Sequence, residues 1–191
     1  MSDKYKIRDN EKAYFITITT VGWVDIFTRK EQKLLIINSL KYCQANKGLI
    51  VFAYCLMPSH LHMICKVEDG INLSDVLRDF KTFTSKNIIK QIIEEPESRR
   101  EWMLEYFSKA CIHLKKNQSF KVWQDGNQAK EIYSMSFLYE KLEYIHNNPV
   151  KDLIVKKPED YLFSSARNYA GLDSFLDVLV LDHKPLIKNW K

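Results

Sequence analysis

The segment Tyr54-Cys55-Leu56-Met57-Pro58-Ser59-His60-Leu61-His62-Met63-Ile64-Cys65 sets two histidines one residue apart inside an apolar, strand-like run. Alternate side chains of an extended chain share a face, so His60 and His62 point one way while Leu61, Met63 and Cys65 point the other. One side of such a strand belongs on a core and the other carries paired imidazoles. Two readings of the pair stand open: polar residues on the solvated face of an amphipathic strand, or ligands of a metal ion carried by a sheet. Zinc enters because Cys55 and Cys65 flank the pair. Cys65 lies an odd number of residues from both histidines and so falls on the opposite face, whereas Cys55 lies beyond Pro58, where an interrupted strand weakens the parity argument. Two imidazoles leave a coordination sphere incomplete, and an octahedral cation such as magnesium or manganese would draw oxygen ligands from elsewhere.

The rest of the chain supplies elements for that strand to pack on. Residues 13–20 are β-branched and aromatic and read as a first strand, and Leu49 to Tyr54 with Leu61 to Val67 make two more, the last closed by the Glu68-Asp69-Gly70 turn. Lys30 to Asn46 has a helical apolar period ended by Asn46-Lys47-Gly48, and Leu73 to Glu94 is a long helix with Asn72 or Ser74 as N-cap. Leu73, Leu77, Phe80 and Thr84 trace its buried line; Arg78, Lys81 and Ser85 trace a basic one, either a solvated face or a phosphate-contacting one. Glu97 to Lys116 reads as a further helix, inserted before the short strand-like piece Phe120-Lys121-Val122-Trp123. A last helix takes Ser134 or Ser136 as its cap, buries Leu138, Leu142 and Ile145, and is expected to stop at Pro149. Tyr144 and Asn148, four apart, share one of its faces.

At 191 residues, 46% of them apolar, the chain can build the core of one domain, 1–191, with a helical insertion around 97–116 and a C-terminal extension over 173–191 that could add an edge strand at Val178-Leu179-Val180-Leu181. A formal charge of +5 suits a nucleic-acid partner without requiring one. Cys43, Cys55, Cys65 and Cys111 have no metal-knuckle spacing, and no apolar leader opens the chain, so they are expected to be reduced core residues of a cytoplasmic protein. No stretch approaches the roughly 18 apolar residues of a membrane span.

Taken together, Tyr54 to His62, the later Tyr144-Ile145-His146-Asn147-Asn148-Pro149-Val150-Lys151, and three further segments resemble the REP-associated tyrosine transposases, relatives of the single-tyrosine insertion-sequence transposases. The further segments are Leu77 to Ser85, the Trp123-Gln124 pair and Pro158 to Tyr169, and the matches run in the family's order from about residue 13 to residue 171. The resemblance implies an α+β, ferredoxin-like (RRM-like) fold: an antiparallel sheet with helices on one face, a His-hydrophobic-His (HUH) motif on a central strand and a nucleophilic tyrosine on a helix.

On this resemblance Tyr144 is the catalytic nucleophile, and His60, His62 and Asn148 hold a divalent metal, Mg2+ or Mn2+. His146 stands about 200° around the helix from Tyr144 and is not assigned to the metal. The implied reaction is attack of Tyr144 on a phosphate of single-stranded DNA beside a hairpin or palindromic repeat, giving a 5′-phosphotyrosine and a free 3′-hydroxyl. A phenol titrates near pH ~10 in water, so it needs help in losing its proton. The covalent bond conserves energy, which makes strand transfer possible as well as nicking. Arg78, Lys81, Lys86 and Arg167 are the cations expected along the DNA backbone. Trp123 either stacks a base or belongs to the core. A monomer is favoured over a homodimer. The competing readings are a hairpin-binding protein without catalysis and, from fold alone, an RNA-binding module, which would expose aromatics on the sheet face where this chain has histidines.

Overall fold

A computed structural model describes residues 6–112 and 119–181. Four antiparallel strands form one sheet in the order β2-β3-β1-β4: β1 (Tyr14–Thr19), β2 (Leu49–Leu56), β3 (His60–Val67) and β4 (Lys130–Glu131). The histidine strand β3 is therefore internal, paired with β1 through Thr17↔His62 and Thr19↔His60 and with β2 through Cys55↔His62. Those registers put Phe15, Thr17, Thr19, His60, His62 and Cys55 on one face. Ile16, Ile18, Leu61, Met63 and Cys65 lie on the other, and all five are completely buried. The alternation expected for an amphipathic strand is thus realised, except that the histidine face is itself covered.

Helices α1 (Lys30–Lys47) and α2 (Leu73–Glu94) pack on one another, tied at one end by a Lys47–Asp79 ion pair. The α1 stop signal works as expected: Gly48 adopts a left-handed conformation, φ 60°, where an added Cβ would lie 2.3 Å from Ile71 Cδ1. The Asn72 side chain caps α2 by accepting from the Ser74 and Asp75 amides. Helix α3 (Arg100–Lys109) is shorter than the 97–116 expected, and residues 113–118 lie outside the described ones. It is anchored by buried Met103 and Phe107 and tied back to the loop before α1 by the Arg99–Asp25 and Arg29–Glu97 ion pairs.

Helix α4 (Met135–Lys151), capped by Ser134, lies on the histidine face and contacts β2 and β3. It runs through Pro149 rather than stopping there. Proline costs a helix most where its missing N–H removes an interior bond, and here only one turn remains. That turn is closed by a motif in which the Ile154 amide donates to Pro149 O (2.9 Å) and the Leu153 amide to Val150 O (3.0 Å), with Leu153 left-handed at φ 57°. The short α5 (Ala166–Tyr169) follows.

Two further expectations change in detail. Residues 120–123 contribute only a bridge, Thr20↔Trp123, and the fourth strand is the two-residue β4 downstream. The C-terminal extension adds no strand among the described residues; Leu179 donates one amide bond to Val51 O, and residues 182–191 are outside the described ones. The outer edge of β2 is instead covered by residues 163–165, through Leu56 N to Phe163 O, Ser165 N to Tyr54 O and the bridge Cys55↔Ser164.

Candidate active site

The β3 histidines and α4 meet over the centre of the sheet. The His60 and His62 rings lie 4.6 Å apart, edge to face, and the Tyr144 ring lies 5.2 Å from His62 and 6.0 Å from Phe15. Phe15 stacks beneath His62 at 5.6 Å. Thus the two strands carry the imidazoles and their floor, and α4 brings the phenol down onto them. Tyr144 is 37% exposed, so its ring edge is reachable from solvent while the histidines beneath are largely covered.

Each imidazole is oriented by a hydroxyl. Thr17 Oγ1 lies 2.9 Å from His62 Nδ1, and Ser59 Oγ lies 3.1 Å from His60 Nδ1. With Nδ1 engaged in both rings, Nε2 is the remaining nitrogen, and neither Nε2 has a hydrogen-bond partner among the described residues. Burial, and then the neighbouring His60, push the His62 pKa down to about 3. Burial also lowers His60, opposed by the charge of Asp152 at the end of α4. Both rings are accordingly neutral at physiological pH, the form a metal ion requires.

These donors suit a divalent cation: two neutral imidazoles, side by side, each with a hydroxyl holding its ring through Nδ1. No group of three or more His, Cys, Asp or Glu side chains that could hold a metal occurs among the described residues. Asn148 lies one turn beyond Tyr144 and is 8% exposed. Zinc through a thiolate is disfavoured. Cys65 is on the far face, and Cys55, although beside His62 in register, is wholly buried and its thiol is held protonated by that burial. His146 turns away from the histidine pair, with Nε2 2.9 Å from Ser165 Oγ and its ring against Tyr169.

Residues not singled out from the sequence complete the surroundings. Lys141 and Lys151 hold their ammonium groups 5.7 and 5.4 Å from the centre of the Tyr144 ring. Their spacing from Tyr144, three before and seven after, is the helical signal that could have found them. Trp23, 58% exposed, sets its ring 5.3 Å from His60.

The expected DNA-binding residues are more dispersed. Lys81 donates to the backbone carbonyls of Gln124 (2.7 Å) and Gly126 (2.8 Å), and Arg167 donates to those of Asp173 and Glu159. Arg78 is exposed but paired with both Asp75 and Asp79. Lys86 is exposed, with no ion pair among the described residues. Trp123 is corrected to a core residue: it is 4% exposed, stacks on Phe27 and donates Nε1–H to Thr84 Oγ1, so no face is left for a base.

Comparison with known proteins gives this arrangement a family. The family model of IS200-like transposases matches residues 13–118, more than half the chain, including the histidine strand. Among solved structures, the REP-associated tyrosine transposase bound to a REP hairpin superposes with a TM-score of 0.60 at 21% identity, covering 96% of each chain. A Deinococcus radiodurans R1 structure assigned as a transposase gives a TM-score of 0.43 at 15% identity, over 77% of this chain and 95% of that one. No curated protein matches. The chain has the fold of the REP-associated tyrosine transposase, and by its sequence it belongs to the IS200-like transposase family.

Proposed function

We propose that this protein is a divalent-metal-dependent single-strand DNA endonuclease and strand transferase acting beside DNA hairpins, with Tyr144 as its nucleophile. The observation that carries the reading is the convergence of one helix and one strand: the Tyr144 ring is 5.2 Å from His62, which is 4.6 Å from His60. The hairpin in the REP-associated neighbour supports folded DNA as the substrate.

In this reading His60, His62 and Asn148 hold Mg2+ or Mn2+, which when bound supplies Lewis-acid polarisation of the scissile phosphate. Thr17 and Ser59 keep Nδ1 of each ring engaged so that Nε2 faces the site. Tyr144 Oη loses its proton and forms a bond to phosphorus, while the bond from phosphorus to the 3′-oxygen breaks and that oxygen leaves as a hydroxyl. Lys141 and Lys151 flank the ring and meet the negative charge of the phosphate where it is attacked. Reversal by a second 3′-hydroxyl gives strand transfer. Lys86 is the α2 cation that follows the backbone, whereas Arg78 is engaged by Asp75 and Asp79, and Lys81 and Arg167 brace loops. Tyrosine and histidines come from one chain, so a monomer suffices, working on cytoplasmic DNA.

The test is to incubate the protein with labelled hairpin DNA carrying single-stranded flanks and manganese, and to look for an adduct that survives denaturation. A metal-dependent adduct is expected, absent in Tyr144→Phe. An adduct that persists in Tyr144→Phe removes the nucleophile assignment, and hairpin binding without any adduct identifies a non-catalytic binder.

A further inference from the structure

The candidate site continues outward into an aromatic surface that neither the histidine strand nor α4 explains. Trp23 occupies a tight turn whose two central residues, Gly22 and Trp23, both have positive φ, 61° and 59°. The turn is closed by Trp23 N to Thr20 O and Val24 N to Val21 O. Glycine or asparagine is the usual occupant of such positions, and a bulky side chain there is strained. The strain presents an indole, more than half exposed, edge-on to His60. A residue held against its backbone preference beside reactive groups is the pattern from which function is inferred.

The turn does not stand alone. An added Cβ at Gly22 would lie 2.0 Å from Tyr106 Oη, so α3 presses its tyrosine directly onto the turn. Tyr106 in turn lies against Trp102, rings 5.7 Å apart and inclined by 31°, and both are substantially exposed. The Arg99–Asp25 and Arg29–Glu97 ion pairs fix α3 against the same loop. Three exposed aromatics thus lie between His60 and α3, around a turn that ion pairs tie to that helix.

We propose that Trp23, Tyr106 and Trp102 form a stacking track for unpaired nucleobases of single-stranded DNA flanking the scissile phosphate, which gives the insertion a role in substrate binding. The inference rests on the reading of the site as a single-strand DNA nuclease, and continuity with that site identifies the occupant. Indole and phenol faces accept any base, so the track would hold the strand with little sequence preference. Its position beside His60 would fix the phosphate at the edge of the site.

The test uses the uncleaving Tyr144→Phe protein, with and without Trp23→Gly, binding three probes: a hairpin with single-stranded flanks, the same hairpin without flanks, and oligothymidine. Glycine suits the φ of this turn and Trp23 is not core, so Trp23→Gly should melt no lower than its parent. Stacking is worth enough that affinity for the flanked hairpin and oligothymidine should fall on the order of tenfold, more with Trp102→Ala added, while the unflanked hairpin is unaffected. Equal affinity of parent and variant for the flanked probe overturns the track, as does a change in oligomeric state on substitution, which would make the surface a self-interface. Trp23-dependent binding by the otherwise wild-type chain without a covalent adduct keeps the track and removes the nuclease. An adduct with no Trp23 dependence does the reverse.

Discussion

The histidine face of the sheet and the basic side of α2 are both polar surfaces on an apolar scaffold, yet they differ in what their polar atoms already do. His60 and His62 each engage one hydroxyl through Nδ1 and leave Nε2 without a partner among the described residues. On α2 the Lys81 ammonium is held by two carbonyls and Arg78 by two carboxylates. Both surfaces look like ligand sites when read as residue types. What separates them is residual bonding capacity, which depends on partners distant in sequence, and a group already satisfied within the fold gains less from a phosphate.

The sharpest way to test that distinction is with the two tryptophans. Trp123→Ala removes a buried indole stacked on Phe27 together with its hydrogen bond to Thr84 Oγ1, and should cost about 3–5 kcal/mol in denaturant unfolding, whereas Trp23→Gly should cost nothing comparable. A mild Trp123→Ala would break the assignment of inside and outside.

The histidine face should also announce itself through pH. His62 titrates near 6.5 when unfolded and at about 3 when folded, so between those values the unfolded chain binds the proton and the folded one does not. Stability measured in chelator should therefore be complete above pH 6.5 and fall on acidification, by roughly 1.4 kcal/mol per unit from this residue. His62→Leu should flatten the difference between pH 6.5 and pH 4; an unchanged slope would mean that the ring is not desolvated.

On α2, Lys81→Met should lower stability by about 1–3 kcal/mol by leaving the Gln124 and Gly126 carbonyls unpaired, with little effect on DNA affinity. Lys86→Ala should do the opposite, leaving stability alone and reducing the salt dependence of DNA binding by about one ion. A larger affinity loss in Lys81→Met than in Lys86→Ala would erase the contrast. The smallest effect expected is at the end of α4, where Leu153→Gly relieves a left-handed leucine and should raise stability by about 1 kcal/mol without altering adduct formation.

Much of this was legible in the chain because it depended on short-range periodicity. Parity put His60 and His62 on one face and Cys65 on the other, Asn72 and Ser134 announced their helices, and Gly48 ended α1. The readings that failed depended on long-range partners or on local bonds that a pattern does not contain. Trp123 as a base-stacking residue, one of the two readings its type left open, fails because Phe27 and Thr84 enclose it; Pro149 looked like a stop until the amides of Leu153 and Ile154 closed the turn after it, and β4 is too short to show an alternation. Trp23 escaped notice because its significance lies in a backbone conformation that residue type argues against.

The margins of the sheet bear on how copies of this chain meet. A bare strand edge is a template onto which another polypeptide can add, and here neither margin offers one of useful length: residues 163–165 already occupy the outer side of β2, and at the other end β4 is two exposed residues, a lysine and a glutamate. Among the described residues, edge-to-edge pairing of sheets between copies is therefore disfavoured at both ends.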